Sequence, residues 1–217
     1  MMSQSLVSNT RCRKPAAHSN LACIFASDAA EPMSDKTQLA SGFTVADYRQ
    51  AVASKDGTAI ASAIGRRFRE RYLTPVTSGT KHGFAMMAAA CLMIEALESF
   101  RQGWSRTDKN GRSPETFRLF FESSDAFKPF RGLDFYKHVR CGILHQAETT
   151  GGWKIVRKGP IFEPSTLTIN ATTFVRALSI ELDGFCVDLE ATAWDDPKWD
   201  KVRNKLKGIV EHCQIKP

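Results

Sequence analysis

From residue 44 to the C-terminus, apolar positions recur at helical spacing in one segment after another, and a single short stretch switches to alternation. Thr44-x-x-Asp47 has the spacing of a capping box with Asp in place of Glu, and predicts a helix to about Ser54. A second helix is predicted from Thr58 to Leu73, ended by Pro75 and carrying Arg66, Arg67, Arg69 and Arg71. His82 to Trp104 is built from Ala, Met, Leu and Phe and is apolar around nearly its whole circumference, the pattern of a helix covered on several sides. Ser113-Pro114-Glu115 combines an N-cap residue, a proline at the first helical position and an acid in the first turn, which starts a helix to about Ser123. After a connector over Phe127–Gly132, another helix is predicted from Leu133 to about Thr149, stopping before Gly151-Gly152.

The period then changes. Trp153–Arg157 and Thr166–Ile169 are β-type segments around a Gly159-Pro160 turn, which predicts a small hairpin inserted within residues 151–170. Asn170 is placed to cap a helix from Thr172 or Thr173 to about Thr192, and Asp196-Pro197 starts a last amphipathic helix. The expected fold is all-α, a bundle of six or seven helices over residues 41–217 with the β-hairpin as its insertion. Residues 1–40, rich in Ser, Ala, Asn and Thr with no periodic face, read as a disordered leader, or as an over-extended N-terminus preceding a start at Met33.

Composition narrows the chemistry. The 217 residues carry a formal charge of +7 and a sequence pI near 9.2, which helps to attract an anionic partner without identifying it. The longest apolar run, Phe84 to Ile94, stops at Glu95, short of the roughly 18–20 residues of a bilayer span, so no membrane partner is expected. The six cysteines form no CxxC pair, and Cys91 and Cys186 sit among apolar neighbours, as reduced thiols of a cytoplasmic protein would. There is no HExxH, Walker loop, GxGxxG or GxSxG, and Glu95-x-x-Glu98 lacks the Glu-x-x-His pairs of a di-iron bundle. No metal or cofactor is expected.

On an ideal helix from Leu133, the residues Leu133, Tyr136, Val139, Ile143, Leu144 and Ala147 share an apolar face with Arg140 near its middle. A guanidinium keeps its charge, so at that position it requires a carboxylate or an anionic ligand. Glu95 and Glu98, on the apolar third helix, are the candidate supports, with Glu95 the expected partner. His145 falls about 140° around from Arg140 on a regular cylinder, with Gly142 between them permitting local distortion. The surrounding segment is basic. Lys137, His138, Lys154 and Arg157 could track phosphates, and Trp153 could stack on a base; packing and solvation are the ordinary alternatives.

Arg140-Cys141-Gly142-Ile143-Leu144-His145 resembles the R-x4-H form of the HEPN superfamily motif, and VRCGILHQAETTGGWKI is similar to strings of uncharacterised bacterial HEPN-like families. The resemblance covers roughly residues 80–190. It implies a metal-independent endoribonuclease acting as a toxin or in phage defence, with Arg140 and His145 catalytic, RNA as partner, and an antitoxin or defence protein as a further one. It also implies a homodimer, which would bring two Arg/His pairs together at the face carrying His145. Cys141 departs from the pattern, since active members often carry Asn or Asp there. The alternative is a non-catalytic HEPN-like module that binds RNA, a nucleotide or a protein partner.

Overall fold

The computed structural model describes residues 35–80, 82–107 and 112–212. The fold is mostly helical, with small β elements. The chain enters through a short antiparallel pair, β1 (Gln38–Ala40) and β2 (Phe43–Thr44), and continues into α1 (Val45–Ala53) and α2 (Gly57–Phe68). Thr44 caps α1 in both directions: its hydroxyl accepts the Asp47 N–H at 3.2 Å, and Asp47 Oδ2 accepts the Thr44 N–H at 2.7 Å. A π-turn (Arg69–Leu73) and the short α3 (Thr74–Thr77) follow α2 without a break.

Two expectations change here. Leu39 and Ala40 are buried in strand β1, so the predicted leader does not extend to residue 40; residues 1–34 lie outside the described ones. Pro75 does not end the second helix, because the wider π-turn before it re-phases the backbone and puts the proline in the first turn of α3. The arginines of that helix have local work. Arg66 donates to the Ser41 carbonyl and Arg67 to that of Leu39 at 2.6 Å, while Arg69 pairs with Asp183.

The bundle is organised around α4 (Gly83–Gln102). Met86, Met87, Met93, Ile94 and Leu97 are all buried, and α5 (Arg112–Ser123), α7 (Ala171–Ala191) and α8 (Pro197–His212) pack against it. By length and composition α4 could cross a membrane, which the 11-residue apolar run did not suggest. More than half of its most apolar window is covered by the protein, and that burial accounts for the composition.

A 3-10 turn (Asp125–Phe130) leads to the motif helix, a π-turn over Tyr136–Cys141 continued by α6 (Gly142–Gln146). Phe117, Phe120, Phe121, Phe127, Phe130, Phe135 and Phe174 meet in a nearly dry corner beside it, several at ring separations of 5–6 Å. Burying each ring contributes about 1.5–3 kcal/mol.

The insertion differs from a simple hairpin. Its strands are β3 (Lys154–Val156), β4 (Phe162–Glu163) and β5 (Thr168–Asn170), in the spatial order β3-β5-β4. β5 runs parallel to β3 and antiparallel to β4, so the two segments expected to form the hairpin are parallel neighbours. The chain between them makes room for this by crossing over through β4. Asn170 then caps α7, accepting the N–H groups of Thr172 and Thr173 at 3.1 and 3.2 Å.

Candidate functional site

The motif helix departs from the 3.6-residue wheel. Its first half is a π-turn, which adds about one residue to the turn and shifts the phase of the residues after it. The buried positions are therefore Phe135, Val139 and Gly142. Leu133, Leu144 and Ala147, which the ideal wheel assigned to the apolar face, are exposed.

Arg140 lies at the edge of this face, with its side chain 18% accessible. Glu95 is the carboxylate that reaches it: Arg140 Nε donates to Glu95 Oε1 at 2.7 Å across the contact between the motif helix and α4. Glu95 Oε2 accepts weakly from the Thr107 hydroxyl at 3.4 Å. The guanidinium also sits 5.4 Å from the centre of the Tyr136 ring, a cation–π distance. Burial works to lower the Arg140 pKa, but the bond and charge of Glu95 outweigh it and hold the value above the ordinary one. Burial likewise raises the Tyr136 phenol.

Glu98 does not support Arg140. Three residues beyond Glu95 it points to another side of α4, where it is almost fully buried beside Arg101 (3.6 Å) and accepts from Gln102 Nε2 at 2.7 Å. Cys91, one turn before Glu95, is buried and its thiol pKa is driven far up by desolvation, which makes it an inert core residue.

His145 is exposed on α6 and makes no hydrogen bond or ion pair among the described residues. His138 is half-buried, with Nδ1 3.0 Å from the Thr150 hydroxyl. The segment after α6 folds back tightly. Ala147 takes a left-handed conformation (φ 55°), and a Cβ added at Gly142 would lie 2.6 Å from the Glu148 carbonyl oxygen. Gly151, at φ 62°, presses on the other side of the motif helix, where an added Cβ would meet His138 Nδ1 at 2.4 Å. Both glycines are required by close approach.

Trp153 is 6% accessible, stacked on Phe162 at 5.3 Å and edge-on to Phe135 at 5.9 Å. It belongs to the aromatic corner and is not available to stack on a base. Lys137, Lys154 and Arg157 are exposed. Tyr136 also lines a cavity of about 310 Å³ with Phe117, Arg118, Arg131 and Asp134, which sequence reasoning did not foresee because its walls come from three separate elements. Among the described residues no group of three or more His, Cys, Asp or Glu is arranged to hold a metal ion.

No family model, curated protein or solved structure matches the chain.

Proposed function

We propose that the chain is an HEPN-like, metal-independent endoribonuclease in which Arg140 binds the scissile phosphate and His145 moves the proton. The observation that carries this reading is the mode of holding Arg140. One carboxylate engages its Nε edge, Tyr136 lies against its face, and the side chain remains partly accessible. A guanidinium positioned in this way can still offer η N–H groups to a phosphate oxygen. The π-turn that carries it is of a kind often found at functional sites. His145 is solvated, and a histidine is the side chain most often used to move a proton in catalysis, which suits it to take the proton of a ribose 2′-hydroxyl as that oxygen attacks phosphorus and the 5′-oxygen leaves. Exposed Lys137, Lys154 and Arg157 would track the backbone, and His138, tied to Thr150, would shape the helix rather than touch RNA. A role as a toxin or in phage defence, with an antitoxin or defence protein as partner and a cytoplasmic address, belongs to the same proposal.

The accessible Arg140–Glu95 pair also favours a second reading, a non-catalytic module that binds RNA, a nucleotide or a protein through this surface with Arg140 retained for structure. Incubation of single-stranded RNA with the purified protein in EDTA separates the two. The enzyme reading expects cleavage leaving 2′,3′-cyclic phosphate ends, lost in folded His145→Ala and Arg140→Gln variants. RNA that is bound and left intact, or a His145→Ala variant as active as wild type, overturns it.

A further inference from the structure

Helix α7 carries a feature that the Arg140 site does not use. Thr173, Ala177, Ile180, Gly184, Val187 and Ala191 recur at steps of alternately four and three, the spacing of a coiled-coil seam, over about 30 Å of helix. Another face of α7 builds the core through Phe174, Leu178, Leu182 and Leu189. From Ile180 to Ala191 the seam faces out, while Thr173 and Ala177 are half-buried: Ile180 is 65% accessible and Val187 64%, and a Cβ placed on Gly184 would meet nothing within 4 Å. These are the two most exposed large aliphatic side chains among the described residues.

We propose that this seam is a docking surface for the α7 of a second copy of the chain, packed antiparallel across a two-fold axis. Such docking is independent of the ribonuclease reading and of the pairing at the face carrying His145 that the resemblance implies. Shape favours the antiparallel arrangement. In the register centred near residue 182, Ile180 lies opposite Gly184 of the second copy, Val187 opposite Ala177, and Thr173 opposite Ala191, so every layer sets a larger side chain against a small one. In the parallel register Gly184 faces Gly184 and Ile180 faces Ile180, which leaves a void in one layer and crowding in the next.

Charge favours the same register. Of the four acids flanking the seam, Glu181 is held by Arg101, Asp183 by Arg69 and Asp188 by Lys198, all within the chain. Glu190 and Arg176 are exposed and make no ion pair among the described residues. They lie two heptads apart on the same side of the seam, and the antiparallel register that matches the apolar layers also sets Arg176 against Glu190 of the second copy, twice by symmetry. A groove of about 530 Å³ between α7, the end of α4 and α8, lined by Ile180, Gly184 and Phe185, receives the flanking side chains of the partner.

The test is sedimentation equilibrium of the full chain at micromolar concentration. Wild type is expected to dimerise. Ile180→Asp, Arg176→Glu and Glu190→Arg are each expected to weaken the dimer more than about tenfold, and the double variant R176E/E190R to recover most of the loss. Circular dichroism checks that each remains helical, as substitutions at exposed positions should. A wild type that stays monomeric overturns the proposal, as does a dimer indifferent to Ile180→Asp. A dimer weakened by both single charge changes and not restored by the double one overturns the antiparallel register.

Discussion

Helix α4 carries one largely buried arginine and meets another, and the protein treats them differently. Arg101 is closed in. Glu181 accepts from it at 3.1 Å, Glu98 lies at 3.6 Å, and the rings of Phe120 and Phe185 cover it at 5.3 and 6.0 Å. Arg140, about as accessible, has one carboxylate through one nitrogen and a single ring against its face. Two acids against one cation leave the first cluster with no positive charge to spare. One acid against one cation, with η groups not committed to that acid, leaves the second able to accept a further anion. Burial alone does not distinguish the two arginines; the count of opposing carboxylates does.

Removing the first cation should have the largest effect. Arg101→Met leaves Glu98 and Glu181 facing an apolar side chain, and urea unfolding is expected to report a loss of about 3–5 kcal/mol. Glu95→Gln, which weakens one charge-assisted bond at a partly accessible pair, should lose about 1–3 kcal/mol. Equal losses would erase the distinction between the clusters.

Binding sharpens the comparison in the opposite sense. Arg140→Lys, which cannot keep both the Glu95 contact and a planar pair of donors, is expected to weaken RNA affinity about tenfold in a filter-binding assay. Arg101→Lys should leave that affinity unchanged, and if it does not, the closed cluster is less closed than its contacts imply.

The smallest effect comes from a carboxylate outside both clusters and provides a baseline. The Thr44 backbone N–H, with its hydroxyl, holds the Asp47 carboxyl below its ordinary pKa of 3.8. A depressed folded value means stability that is present above the ordinary pKa and lost as pH falls through the lower one. Asp47→Ala should therefore lower the melting temperature slightly at neutral pH, with the difference shrinking below pH ~4. A difference that persists in strong acid would assign the effect to helix propensity instead of the cap.

The pairing of Arg140 with Glu95 was legible in the amino-acid order. A charged residue among Tyr136, Val139 and Ile143 called for an acid, and α4 offered few. The caps at Thr44 and Asn170 are local rules and were readable as such. What failed were features no local rule encodes. A π-turn leaves no mark in a 100° wheel, so the wheel puts Leu144 and Ala147 on the wrong face and makes Pro75 look like a stop. For Trp153 the sequence left base stacking and packing both open, and Phe135 and Phe162, from separate elements, decide for packing. The parallel pairing of β3 with β5 is set by the crossover between them, which alternation cannot reveal.

Two glycines, Gly142 within the motif helix and Gly151 pressed against it, restrict how this segment can drift over evolutionary time. In a plain helix, an arginine and a histidine five places apart tolerate almost any letters between and after them. Here a side chain at Gly142 would collide with the Glu148 carbonyl and one at Gly151 with the His138 ring. Descendants that keep this backbone are thus expected to spell the segment His-x-Arg-x-Gly-x-x-His, with a further glycine nine places after the first. A search for distant kin should use that longer spelling, because the bare Arg-x4-His pattern arises by chance in many unrelated helices.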